Sequence, residues 1–355
     1  MKRSLPILRG RGAGRDLPNR FERLSIELDP EEEARAPHER ETLYFRDPAR
    51  SILTRNRSPD VGFDWSINPY RGCAHGCVYC YARPTHEYLG FSPGLDFESR
   101  ILVKEDAPEL LERALARPRW NPVTLVMSGV TDPYQPIERR ARVTRGCLEV
   151  LARARHPVAI ITKSRLVERD IDLLGALAER GATHVTLSIT TLDRGLQRAL
   201  EPRASPPEHR LAAVRRLTEA SIPVAVFVAP VIPGLTEHEI PAILAAAADA
   251  GATGAGYVVL RLPGAVEPLF LDWIEEHCPD RAGKIRSRLE SLRGGALYDA
   301  TFGTRMRGEG PFARQIAGLF DLACTRSGIA RRRLELSTEH FIRPERSSDQ
   351  LSLWH

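Results

Sequence analysis

Short apolar runs alternate with amphipathic stretches through the middle of the chain, from about residue 62 to residue 262. The run Val158-Ala159-Ile160-Ile161 has no polar alternation, which is typical of a strand buried on both faces. Repeated strand–helix units with short connections predict an α/β protein with a parallel sheet and right-handed crossovers. The candidate strands are Val123–Ser128, Val158–Thr162, His184–Ile189, Val224–Ala229 and Gly256–Leu260. The candidate helices are 143–155, 167–181, 208–221 and 237–250.

The two ends of the chain break this alternation. The segment Arg9–Arg15 alternates arginine with glycine or alanine and lacks periodicity, which favours a solvated tail over a phosphate-binding loop. The end of the chain is expected to be a mostly helical appendage packed on the core, with helices over 265–292 and 311–326. The predicted segments are an irregular lead-in at 1–61, the core at 62–262 and the appendage at 263–355.

The composition fits a folded protein with a sizeable core. Apolar residues make up 42% of the 355 positions, which argues against wholesale disorder. The formal net charge of +5 permits an acidic partner such as nucleic acid but does not require one. Apolar runs of transmembrane length and a signal-peptide pattern are both absent, so no membrane association is expected. The small number of cysteines favours a reduced, cytoplasmic setting.

Three of the six cysteines crowd into eight residues, where Cys73, Cys77 and Cys80 have C-x3-C-x2-C spacing. This spacing lets one tight loop turn three thiolates, the ligands of iron–sulfur clusters and of structural zinc, toward a single point. A closed zinc site needs a fourth ligand, which His75 or His86 could supply. Three cysteines on a cubane cluster would leave one iron free for another ligand. The third interpretation is that the cysteines are unligated core residues.

The cysteine spacing resembles the defining motif of the radical S-adenosylmethionine (SAM) superfamily, and the resemblance extends over about residues 62–262. It implies a partial (β/α)6-type barrel in which the three cysteines hold a [4Fe-4S] cluster. The open iron would chelate SAM, and one-electron reduction would cleave SAM to a 5′-deoxyadenosyl radical. An electron donor such as flavodoxin or ferredoxin is the partner that this chemistry implies.

Residues that follow the candidate strands carry the rest of the resemblance. Thr131 and Asp132 stand where the family places groups that receive the SAM amino group, although the Gly-Gly-Glu form common there is absent. By the same resemblance, Lys163 would pair with the SAM carboxylate. The alternative for Lys163 is a surface salt bridge.

Two later strand ends complete the implied SAM site. Ser188 stands where the family contacts the ribose. The segment 230–237 is similar to the family's G-x-I-x-G-x-x-E element, with Pro230 in place of the first glycine. Within it, Ile232 would pack against the adenine and Gly234 would set the backbone shape.

Within the superfamily, the chain is most similar to the spore photoproduct lyase-like group. Tyr79 and Tyr81 flank the last cluster cysteine as tyrosines do in the lyase, where they are thought to relay a hydrogen atom. Both are therefore catalytic candidates, and the alternative is that they shield the cluster. The lyase carries a hydrogen-donor cysteine where this chain has Gly129 and Val130, so spore photoproduct repair itself is not expected.

The expected function is therefore a lyase-like radical SAM enzyme whose substrate is unidentified, with nucleic acid as the leading candidate. Arg203, Arg261, Arg305 and Arg307 could form a basic rim suited to phosphate, or could be structural. Arg203 could also bind the SAM carboxylate. The alternative function is a non-catalytic nucleic-acid-binding protein stapled by zinc, whose binding would weaken with salt and ignore SAM.

Overall fold

The computed structural model describes residues 10–22, 40–331 and 335–345. The strands are β1 (Leu43–Arg46), β2 (Leu53–Arg55), β3 (Trp65–Ile67), β4 (Tyr70–Arg71), β5 (Arg100–Val103), β6 (Leu125–Met127), β7 (Val158–Thr162), β8 (Thr183–Ser188), β9 (Val224–Val231) and β10 (Gly254–Val259). The helices are α1 (Leu95–Ser99), α2 (Ala107–Leu115), α3 (Glu138–Ala141), α4 (Val143–Arg153), α5 (Ile171–Ala178), α6 (Arg194–Leu200), α7 (Pro207–Glu219), α8 (Ile240–Asp249), α9 (Val266–His277), α10 (Pro279–Ser291) and α11 (Gly310–Ser327). Short 3-10 segments lie at Arg83–Leu89, Arg165–Asp170 and Glu237–Glu239.

A seven-stranded sheet in the order β10-β9-β8-β7-β6-β3-β2 forms the core. The strands from β3 to β10 in this order are parallel, and only the edge strand β2 runs antiparallel to its neighbour β3. Helices α4, α5, α7 and α8 connect successive parallel strands, as the alternating pattern predicts. Because the order does not close on itself, the barrel is partial. Its chemistry is expected at the carboxyl ends of the parallel strands.

All five strands expected from the apolar runs are confirmed, with their ends shifted by at most two residues. The continuous run at Val158 is buried on both faces of β7, as its lack of polar alternation predicts. The apolar pattern does not predict strand β3, because three residues are too few for a period to show. Pairing with β6 and β2 holds it in the sheet.

The lead-in is more ordered than expected. Within residues 1–61, β1 pairs in parallel with β5 and β2 extends the main sheet. Both strands are short and exposed, so their sequences lack the apolar run that marks a buried strand. Residues 1–9 and 23–39 of this lead-in lie outside the described residues.

The carboxyl-terminal part is mostly helical, as expected. Phe320 and Ile316 of α11 join the main hydrophobic core, so this part packs on the sheet. Residues 332–334 and 346–355 of this part lie outside the described residues. Backbone bonds from Val259 to Met306 and from Ala255 to Ala330 also cover the free edge of β10. Throughout the described ranges, every helix is too short or too polar to span a membrane.

Candidate active site at the carboxyl ends of the strands

The three cysteines lie on one loop between β4 and the 3-10 segment Arg83–Leu89. Cys73 and Cys77 are buried, Cys80 is half-buried, and all three are free thiols. The pKa of Cys77 is raised well above its ordinary value, mainly by burial and then by Glu201 and the two neighbouring thiols. The pKa of Cys80 is raised to about 11 by burial and by Cys73. The three groups therefore lie within electrostatic range of one another. Thiolates held this close need a positively charged partner.

The donor set fits an iron–sulfur cluster. Cysteine thiolates are the ligands of such a cluster, and three cysteines that form no disulfide lie on this loop, where the half-buried Cys80 leaves one side open. Of the two histidines considered as zinc ligands, His75 is paired with Asp132, and His86 packs between Phe91 and Phe97. Within the described ranges, no three His, Cys, Asp or Glu side chains converge on a single metal-ion position.

A buried ion pair between Arg83 and Glu98 supports the cysteine loop from behind. Both side chains are fully buried, and the guanidinium lies 2.5 Å from the carboxylate. Arg83 also donates to the carbonyl oxygens of Cys77 (2.8 Å) and Gly94 (2.8 Å). The conformation of the loop is therefore fixed by backbone contacts that do not involve the thiols.

The glycine-rich segment near the amino terminus packs against this loop, which corrects the expectation of a solvated tail. The backbone amides of Gly12 and Ala13 donate to the Glu98 carboxylate over 3.0 Å and 2.8 Å. A Cβ atom on Gly12 would lie 1.8 Å from the carbonyl oxygen of Gly76, so only glycine fits there. Arg11 is buried and donates to the Glu98 carbonyl over 2.8 Å.

Asp132 follows β6 and connects two strand ends to the cysteine loop. Its carboxylate accepts hydrogen bonds from the Thr162 hydroxyl and the Lys163 amide, each over 2.7 Å. It also lies 3.3 Å from Nδ1 of the buried His75. Burial opposes the charged form of His75, but Asp132 raises its pKa to about 10 overall. Thr131 points to the same loop, since its hydroxyl donates to the carbonyl of Gly72 over 2.9 Å.

Lys163 is the centre of a polar network at the ends of β7, β8 and β9. Its ammonium donates to Ser188 Oγ (2.9 Å), Thr190 Oγ1 (3.1 Å) and the Ala229 carbonyl (2.9 Å). It also lies 3.0 Å from Oε1 of the fully buried Glu201. The sequence therefore placed Lys163 and Ser188 together correctly, and the role toward SAM stays a prediction for both.

Ile232 and Gly234 lie away from any open surface of the site. Ile232 is completely buried in a cluster that includes Leu260 and Ile285. Gly234 has a φ of +84°, and a Cβ there would lie 3.2 Å from the backbone of Ile285 in α10. The backbone requirement expected at Gly234 is present, and the approach of α10 explains it. The adenine contact expected for Ile232 stays a prediction, with no exposed surface of its side chain to support it.

The two tyrosines beside Cys80 occupy different environments. Tyr79 is buried, and its hydroxyl donates to Glu201 and contacts Thr190 Oγ1 at 3.1 Å. Tyr81 is 50% exposed, and its hydroxyl donates to the carbonyl of Gly129 over 2.5 Å. Only Tyr81 therefore faces the space in front of the strand ends.

Several residues that shape the site gave no signal in the sequence. Arg83, Glu98 and Arg210 are isolated charges in mixed segments, and only their complete burial shows that they form internal ion pairs. Arg203 binds the amino-terminal segment through the Gly10 carbonyl (3.0 Å) and Thr42 (3.0 Å). Arg305 pairs with Asp60, so at least part of the expected basic rim is neutralised.

Comparison with known proteins adds three findings. Residues 67–247 match the radical SAM superfamily, which is just over half of the chain. An uncharacterized protein of Mycobacterium tuberculosis is 37% identical over 236 residues, covering 65% of this chain and 69% of that one. An uncharacterized protein of Methanocaldococcus jannaschii is 33% identical over 178 residues, covering 50% of this chain and 64% of that one.

The fold is similar to solved structures of spore photoproduct lyase. The structure of that lyase complexed with dinucleoside spore photoproduct superposes with a TM-score of 0.55 at 17% sequence identity. The match covers 81% of this chain and 80% of the lyase. At this identity the likeness concerns the fold. With the family match, the cysteine loop and the parallel sheet in agreement, the chain belongs to the radical SAM superfamily.

Proposed function

We propose that the protein is an enzyme that binds a [4Fe-4S] cluster through Cys73, Cys77 and Cys80 and cleaves SAM reductively. The observation that carries this proposal is the position of three free thiols on one loop that contacts Asp132 through His75 and lies beside Lys163 at the Tyr79 ring. Bound there, the cluster and SAM would supply a 5′-deoxyadenosyl radical for reaction with a substrate. An electron carrier such as flavodoxin or ferredoxin and a cytoplasmic location belong to the same proposal.

The chain's own residues hold the reacting groups and exclude water. The Arg83–Glu98 pair and the Gly12 segment fix the back of the cysteine loop, which keeps water from that side. His75 and Asp132 fix the front of the loop against β6 and β7. Lys163 and Ser188 are the proposed SAM contacts, together with Thr131 and Asp132. Ile232 and Gly234 shape the adenine side through the backbone.

Tyr81 is the better candidate for contact with the substrate. Its hydroxyl lies on Gly129, at the position where the lyase-like group carries its hydrogen-donor cysteine, and half of its surface is exposed. Tyr79 is fully engaged with Glu201. Tyr81 therefore would carry a hydrogen atom to or from the substrate, and Tyr79 would serve the polar network. Nucleic acid is the proposed substrate class.

The proposal is tested on protein purified and reconstituted without oxygen. Iron and sulfide per chain are measured first, followed by 5′-deoxyadenosine formed from SAM after reduction with dithionite. We expect about four irons and SAM cleavage in the wild type, and neither in Cys77→Ala. Cys147→Ala is the matched control, because Cys147 is buried in the core on α4 and should leave the cluster intact.

Zinc in place of iron, without SAM cleavage, would overturn the proposal. It would instead favour the zinc-stapled nucleic-acid-binding protein. A Cys77→Ala variant that still holds the cluster and cleaves SAM would contradict the assigned ligands.

A further inference from the structure

Arg261 is a cation in front of the site that forms no ion pair with a carboxylate in the described ranges, although Asp60 lies within electrostatic range of it. It follows β10, and its guanidinium lies 5.6 Å from the ring centre of Tyr81. Its two polar contacts are long, at 3.7 Å to Sδ of Met306 and 3.5 Å to the Tyr298 hydroxyl. Its Nε is buried and has no hydrogen-bond partner among the described residues. A half-buried guanidinium with such weak partners retains most of its capacity to bind an anion.

A second arginine increases the positive potential at this point. Arg293 is only 7% exposed, and its terminal nitrogens donate to the carbonyls of Leu260 (3.0 Å) and Arg305 (2.9 Å). Its Nε is also buried and unpartnered in the described part of the chain. Burial lowers the pKa of Arg293; the charge of Asp299 partly opposes this, and the nearby charge of Arg261 lowers the pKa further. Two like charges at close range are a cost that a bound anion would offset.

The two carboxylates nearby, Asp60 and Asp299, form their hydrogen bonds and ion pairs with other residues. Asp60 binds the Gly303 amide over 2.6 Å and pairs with Arg305. Asp299 accepts from Thr301 and Thr304 over 2.8 Å and 2.7 Å. Neither carboxylate forms an ion pair with Arg261 or Arg293 within the described ranges.

The position of Arg261 links it to the proposed chemistry. Tyr81 contacts Gly129 after β6 and lies under Arg261 after β10, two strands with three others between them in the sheet. An anion bound to Arg261 would thus lie next to the exposed edge of Tyr81. The aromatic ring beside a guanidinium is a combination that suits a phosphate attached to a flat base.

We propose that Arg261, backed by Arg293, binds a phosphate group of the substrate next to Tyr81, so that the substrate is a nucleotide or a strand of nucleotides. This inference rests on the proposed function, because the phosphate is assigned to the substrate of the proposed enzyme. It adds to the proposed substrate class the residue that would hold a substrate phosphate, and it places that phosphate beside the exposed ring of Tyr81.

The test measures binding to the reconstituted holoenzyme with SAM. One probe is a fluorescent single-stranded hexathymidylate, and the other is thymidine 5′-monophosphate. We expect Arg261→Gln to weaken binding by at least about tenfold, since a charge-assisted hydrogen bond is lost. For the hexamer, the slope of log affinity against log salt should decrease by about 0.7. Arg261→Lys should restore the slope and part of the affinity.

Arg314→Gln is the matched control for charge. Arg314 is exposed on α11 and forms no ion pair within the described ranges, so its loss should change neither the affinity nor the salt slope. Binding of the hexamer alone assigns a strand, and binding of the monophosphate assigns a free nucleotide. Binding of either probe supports the inference if the Arg261→Gln substitution weakens that binding.

Two results would overturn the inference. One is a wild type that binds neither probe, and the other is an Arg261→Gln variant that behaves like Arg314→Gln. If the wild type cleaves SAM but gives either result, only this inference fails. If the wild type holds no cluster yet binds through Arg261, the proposed function fails and the phosphate site stands.

Discussion

Lys163 Nζ lies 3.0 Å from Glu201 Oε1, and this ion pair joins the end of β7 to the end of α6 beside the cysteine loop. Glu201 is fully buried. It also forms an ion pair with Arg210 and accepts hydrogen bonds from the hydroxyls of Tyr79 and Thr190. The carboxylate is therefore the common acceptor for groups from four parts of the chain. A lysine expected to meet SAM is already positioned by protein groups, which fixes its ammonium before any ligand binds.

Replacing Glu201 should be strongly destabilising. Glu201→Gln keeps the shape but leaves Lys163 and Arg210 buried without their counter-charge, which should cost about 3–5 kcal/mol in the free energy of unfolding. Chemical denaturation monitored by circular dichroism measures this change in the free energy of unfolding. Glu179→Gln is the control, because the Glu179 side chain is exposed and should change stability by less than about 0.5 kcal/mol. Equal effects of the two substitutions would show that the buried network of Glu201 adds no more to the free energy of unfolding than an exposed glutamate does.

The contribution of Glu201 should depend on pH in one direction. Although burial opposes its ionisation, Arg210 and Lys163 hold the pKa of Glu201 far below its usual range. In the unfolded chain the same carboxyl titrates near its ordinary value of about 4.3. Its stabilisation is therefore complete above that value and is lost as the pH falls below it, because the unfolded chain takes up a proton first. The difference in unfolding free energy between wild type and Glu201→Gln should shrink from pH 7 to pH 3. A difference that grows would reverse the assignment.

Substitution of Tyr79 should lower the free energy of unfolding more than substitution of Tyr81. Tyr79→Phe removes a buried donor to Glu201 and should lower the free energy of unfolding by about 1.5–3 kcal/mol. Tyr81→Phe removes a bond on a half-exposed ring and should cost less than about 1 kcal/mol. Denaturation curves of the two variants side by side test this. A larger loss for Tyr81→Phe would contradict the separation of roles.

The contact between the amino-terminal segment and the cysteine loop should be sensitive to a single methyl group. Gly12→Ala would place a Cβ 1.8 Å from the Gly76 carbonyl oxygen, so the segment must shift away from Glu98. We expect a loss of about 1–3 kcal/mol and faster tryptic cleavage after Arg11. Gly14→Ala is the control, since no atom lies within 4 Å of the added Cβ. Unchanged cleavage in Gly12→Ala would mean that the segment does not pack on the loop in solution.

The repeating strand–helix pattern and the cysteine loop could be predicted from the sequence. A strand such as β7 is buried on both faces and must be apolar throughout, so a continuous apolar run in the sequence predicts it. The cysteine spacing is local, because one loop supplies all three thiols. The placement of Lys163 and Ser188 also follows, since neighbouring parallel strands bring their carboxyl ends to one edge.

Only the tertiary structure decided which charges are neutralised and which remain available. Glu98 and Glu201 look like any surface glutamate in the sequence, yet each is buried beside an arginine from another segment. Arg305 and Arg261 look equivalent in the sequence, but Arg305 forms an ion pair with Asp60, whereas Arg261 lies beside Tyr81 without an ion pair in the described ranges. The physical reason is that burial of these carboxylates depends on the whole fold, since Glu201 also accepts from Tyr79, 122 residues away, and Glu98 accepts from Gly12, 86 residues away. Hydrophobic periodicity acts between neighbouring residues, whereas ion pairs depend on contacts that form only when the whole chain has folded.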